Sequence, residues 1–79
     1  MITSEEARKR NLDMLEEQFK DQLSVIEKYV VEACAKGRIC VRIENAGEIF
    51  PDVVSLAAFL RLRYGYEESI SNGDLVLSW

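Results

Sequence analysis

Apolar residues recur through the first half of the chain at Leu12, Leu15, Phe19, Leu23, Ile26, Val30 and Ala33. Their spacing of three and four is the period of a helix with one buried face. Met14, Val25, Tyr29, Val31 and Cys34 widen the stripe, and Glu16, Glu17, Lys20, Asp21, Glu27, Lys28 and Glu32 supply the polar face. Thr3 or Ser4 offers a hydroxyl to cap the first turn, and Glu6 follows Thr3 at capping-box spacing. Glu5 and Glu6 suit the positive end of the helix dipole. Gly37 stands where a left-handed residue ends a helix, with Lys36 in the last turn. The pattern therefore predicts one long helix over residues 3–36.

After Gly37 the period changes from helical to alternating. Ile39, Val41 and Ile43 face one way and Arg38, Cys40, Arg42 and Glu44 the other, which predicts a half-buried strand. Asn45-Ala46-Gly47-Glu48 reads as a loop. Pro51 and Asp52 open a second helix. Its apolar face is Val53, Leu56, Ala57 and Leu60, widened by Val54, Ala58, Phe59 and Leu62, and Gly65 stops it. So much apolar surface on a short helix calls for burial on two sides. Tyr66 to Ile70 and Asp74 to Trp79 are strands, joined by Asn72-Gly73, a type I′ hairpin signal. The predicted fold is α+β, in the order α-β-α-β-β. The long helix and the short one pack on a three-stranded antiparallel sheet. The 79 residues form a single domain, residues 1–79, with the helix at 3–36 and a β-α-β-β unit at 37–79.

The length of the first helix shapes the functional expectation. Thirty-four residues make a rod of about 50 Å, whereas a six-residue strand spans only about 20 Å. A sheet that covers only the C-terminal part of the rod leaves Leu12, Leu15 and Phe19 facing water. Burying each is worth about 1.5–3 kcal/mol, so homo-oligomerisation through Leu12, Leu15, Phe19, Leu23 and Ile26 is expected. The alternative is a helix starting near Asn11 with loose residues before it. Gln22 breaks the heptad reading of the same stripe, which is too short for a coiled coil. Trp79, with a large area to cover, serves as a core lid or an interface residue.

Composition narrows the chemistry. The net charge is −4, and the basic residues of the middle segment are mixed with acids. Nucleic-acid binding demands clustered positive charge, so no DNA or RNA partner is expected. The two cysteines, Cys34 and Cys40, fall on different elements and form no C-x-x-C motif. They are expected as reduced thiols, with Cys34 partly buried. Without histidine the chain lacks the usual general base and triad. No metal, cofactor or catalytic residue is expected, and Glu48 with Asp52 is an ordinary surface spacing of carboxylates. The charged start has no apolar signal core, and no apolar run has the length of a membrane span. A soluble, cytoplasmic protein is expected.

The order of these pieces resembles a class of small proteins encoded by tailed bacteriophages. The resemblance is carried by Glu5-Glu6-Ala7-Arg8, by Lys36-Gly37 leading into Ile39-Cys40-Val41-Arg42-Ile43, by Leu60 with Gly65-Tyr66, and by Leu77-Ser78-Trp79. It spans nearly the whole chain, with Arg61-Leu62-Arg63-Tyr64 standing as an insertion before Gly65. It implies an origin more than a mechanism. The expected function is a non-catalytic, homo-oligomeric phage accessory protein. It would act in the host cytoplasm, binding and sequestering or inhibiting a host protein factor or a small anionic nucleotide signal. Arg38, Arg42, Arg61 and Arg63 are the candidate anion-binding residues, since guanidinium groups suit bidentate phosphate contacts. Arg38 and Arg42 share one strand face, where pairing with Glu44, Glu67 or Glu68 is the plainer reading. The alternative is a small structural or assembly component of the virion.

Overall fold

The computed structural model describes residues 1–79. Thr3 caps the first helix: its Oγ1 accepts the Glu6 N–H at 3.1 Å. The predicted single helix is two, α1 (Ser4–Gln18) and α2 (Lys20–Ala35), separated at Phe19, whose φ is −94° and ψ 11°. The hydrogen-bond ladder nevertheless runs through. Phe19 N–H donates to Leu15 at 2.8 Å and Leu23 N–H to Phe19 at 2.8 Å. The two helices therefore form one rod with a local opening, and the rod accounts for the 46 Å long axis of the molecule. It ends in a Schellman motif. Gly37, with φ +73°, donates to Cys34, and Arg38 donates to Ala33, both at 3.0 Å.

The first strand, β1 (Cys40–Ile43), is shorter than predicted at both ends for local reasons. Arg38 is held by the helix cap, and Asn45 takes a left-handed φ of 57° that turns the backbone away. Ala46-Gly47-Glu48, read as loop, begins a single helical turn, α3 (Ala46–Ile49), with Ala46 wholly buried. Gly47 N–H donates to Gly73 at 3.0 Å and ties this turn to the hairpin tip. α4 spans Val53–Tyr64. Asp52 caps it by accepting the Ser55 N–H at 3.2 Å, and Gly65 ends it at φ +78°. β2 (Glu67–Ser71) and β3 (Asp74–Ser78) flank Asn72 and Gly73. Their φ values of 52° and 82° have the two positive signs that a type I′ turn needs.

The sheet has order β1-β3-β2 and is antiparallel throughout. The chain is thus α+β, as the sequence predicts. Val41 faces Leu77 and Ile43 faces Leu75 across the β1–β3 pair, and this face meets the helices. α2 lies over β1, and α4 lies over β2. The opposite face carries Cys40, Arg42, Ser69, Val76 and Ser78 and is solvated. Every buried side chain is apolar.

The expectation that Leu12, Leu15 and Phe19 face water in a monomer is overturned. Leu12 is 8% exposed, Phe19 6% and Ile26 3% within the single chain, and Leu15 and Leu23 are half-buried against the same core. The sheet alone is too short to cover these residues, but α4 crosses the rod and covers its middle. The Phe19 ring lies 5.8 Å from Phe59, and Arg63 reaches Asp13 at 3.0 Å. What does project is Ser4–Asn11, exposed on all sides but without a large apolar residue. Cys34, expected partly buried, is exposed, as is Cys40.

Candidate functional site

Where α2 and the C-terminal end of α4 diverge, they leave an open cleft of about 320 Å³. This is the small end of the range for ligand pockets. One wall is Leu23, Ile26, Val30 and Val31 from α2, which lie three, four and one residue apart and so share one side of the helix. The other wall is Leu60 and Tyr64 from α4, and Tyr66 at the entry to β2 closes the end. The chain makes this opening because Gly65 reverses the backbone immediately after Tyr64. The reversal carries Tyr66 onto the sheet while α2 continues past it. Trp79 meets Tyr66 edge-on, with centroids 6.1 Å apart and planes at 87°. Trp79 N–H extends the sheet by donating to Ile39 at 3.0 Å. The residue remains 42% exposed, so it covers Tyr66 only in part.

The polar groups at the mouth are acidic and phenolic. Glu27 lines the cleft and forms no ion pair or side-chain hydrogen bond. Beyond it Ser24, Lys28 and Glu32 make a shallow polar shoulder. The Tyr64 hydroxyl donates to Glu16. That hydrogen bond, then burial, then the negative charge of Glu16 hold the phenol above its ordinary pKa, against the opposing pull of Arg63. Arg63 lies 3.0 Å from Asp13 and 3.6 Å from Glu16. Asp13, Glu16, Arg63 and Tyr64 thus clamp the end of α4 onto the rod and fix the cleft's outer wall.

The four arginines picked from the sequence do not converge. Arg42, on the solvated sheet face, pairs with Asp74 at 3.3 Å, and Asp74 also accepts the Asn45 N–H at 3.0 Å. Arg61 pairs with Glu68 at 3.7 Å across the α4–β2 contact. Arg63 faces the rod. Only Arg38, in the turn after α2, holds no carboxylate. Of the residues expected at an oligomer interface, Leu12, Phe19 and Ile26 serve the internal core, whereas Leu23 and Ile26 also line the cleft. The cleft residues Val31, Tyr64 and Tyr66 escaped selection because each belongs to a different element. Tyr64-Gly65-Tyr66, two aromatics around a helix-ending glycine, is the one local signal that two rings are being turned toward a common space. No helix is long and apolar enough to cross a membrane. No protein-family model, curated protein or solved structure matches the chain.

Proposed function

We propose that this chain is a non-catalytic, homo-oligomeric accessory protein of the tailed-phage kind that binds and inhibits or sequesters a host protein factor in the host cytoplasm. The observation that carries this reading is the open apolar cleft between α2 and α4. Its seven apolar lining residues include an exposed Val31 and two tyrosines. Tyrosine is among the usual anchors of a protein contact. A protein factor suits the site better than an anionic nucleotide. Glu27 at the mouth repels phosphate, and three of the four candidate arginines already hold carboxylates.

The test is native mass spectrometry of the protein purified gently from expressing bacteria. The expected result is a discrete assembly carrying a host polypeptide. Val31→Glu, at a position 60% exposed and therefore outside the core, removes that polypeptide. A bare wild-type protein, or a polypeptide retained by Val31→Glu, overturns the reading. A small anionic mass that disappears in Arg38→Glu/Arg42→Glu transfers it to a nucleotide ligand. Recovery in purified particles transfers it to a virion component.

A further inference from the structure

Glu27 is the one charged residue lining the apolar cleft. It stands in the middle of an apolar line. Leu23, Glu27 and Val31 lie four residues apart along α2 and so share one rim. Glu27 and Val31 are exposed, and the buried Ile26 and half-buried Val30 lie deeper in the wall. Glu27 has no ion pair within the chain. Arg63, beside Tyr64 on the opposite wall, is engaged by Asp13 and Glu16. Lys28 follows Glu27 but lies on the shoulder outside the cleft. The Tyr64 phenol is held above its ordinary pKa mainly by its hydrogen bond to Glu16, and the charge of Glu27 adds to the rise. Glu27 therefore acts on the space between the walls. The cleft is apolar within and carries one uncompensated negative charge at its rim.

We propose that the segment this cleft receives is a short amphipathic helix of the partner protein, with an apolar stripe set between α2 and α4 and a lysine or arginine beside it paired with Glu27. This assignment rests on the protein-binding reading of the cleft given above and names what the partner presents. Three features select it. The first is charge. A cation on the partner complements Glu27, whereas an acidic residue there meets a like charge. Two tyrosines line the same space, and aromatic ring faces attract cations.

The second feature is the backbone. Both long walls are flanks of helices, whose N–H and C=O groups are consumed within α2 and α4. An extended chain laid between them finds no main-chain partner, while a helix brings its own hydrogen bonds. The third feature is size. From Leu23 to Val31 the wall runs about 12 Å, and a row of side chains at i, i+4 and i+7 on a facing helix runs about 10 Å. A whole helix, about 10–12 Å across, is too wide for a cleft of about 320 Å³. The helix thus lies along the mouth and inserts one row of apolar side chains.

Selection from a random library of displayed peptides, each about 15 residues long so that binding can stabilise a helix, tests the proposal with the full chain as bait. Fluorescence anisotropy of the enriched peptides gives their affinities. The enriched sequences share apolar residues at i, i+4 and i+7 and a lysine or arginine beside that row. Val31→Glu abolishes their binding. Glu27→Lys weakens it at least about tenfold, because like charges then face each other. Replacing the peptide's basic residue with glutamate restores binding to Glu27→Lys, and that rescue also shows the variant to be folded. Enriched peptides that bind wild type and Glu27→Lys equally overturn the ion pair, and an alternating apolar period overturns the helix. In both cases loss of binding in Val31→Glu keeps the cleft as a protein site. Binding indifferent to Val31→Glu, or no enrichment at all, overturns the assignment outright. The host polypeptide sought by native mass spectrometry decides the broader function separately.

Discussion

Tyr64 joins several parts of this molecule. It ends α4, lines the cleft, meets Phe59 edge-on at 5.9 Å and donates to Glu16 on the rod. Its phenol pKa is raised above the ordinary value of about 10, so folding favours the neutral form. The stabilisation is complete below the unfolded pKa and is lost as pH rises through the folded one. NMR titration of the tyrosine ring carbons should place Tyr64 above 10 in the wild type, and Glu16→Ala should bring it down. A Tyr64 titration unchanged by Glu16→Ala would refute the assignment. At the other end of α4, Asp52 satisfies an otherwise orphan N–H. Asp52→Ala should lower stability by about 1 kcal/mol in urea unfolding, with the denaturant slope unchanged.

At the scale of elements, the rod is uneven in purpose. Ser4–Asn11 is exposed throughout, and short stretches of helix without packing are marginal in water. Hydrogen exchange should therefore be fast over these residues and slow from Leu23 to Ala33, with the boundary near Leu12. Uniform protection along α1 would mean that something covers the projection. Phe19, at the opening between the helices, packs against Phe59, and Phe19→Ala should cost about 3–5 kcal/mol. A domain of this size has a stability of only about 5–15 kcal/mol. Thermal or urea unfolding should thus find this variant close to unfolded at ambient temperature.

The whole molecule is held by α4 as much as by the sheet. It is packed between β2 and the middle of the rod, so the core runs continuously from Leu12 to Leu77. Removing residues 1–10 should leave the melting temperature within a few degrees, since no buried residue is lost. Removing residues 1–20 should abolish cooperative unfolding, because Leu12 and Phe19 go with them. A cooperative, stable product of the longer deletion would show that the sheet and α4 fold without the rod.

The sequence by itself determined whatever depends on neighbours along the chain. The helical stripe, the Thr3 and Asp52 caps, the glycine stops at Gly37 and Gly65, the Asn72-Gly73 turn and the alternation of β1 are local. Each is decided by backbone sterics and by which side chain reaches which orphan N–H. They were enough for an α+β fold and for the sheet's two faces. Only the tertiary structure decided which elements cover which. The crossing of α4 over the rod turned Leu12 and Phe19 from expected interface residues into core, and the sheet kept Arg42, on its solvated face, apart from Arg61 and Arg63. The same crossing also brought Val31, Tyr64 and Tyr66 to one cleft. Periodicity states how much apolar surface an element must hide. It does not state which neighbour hides it, because burial is non-directional and any apolar surface of the right shape satisfies it.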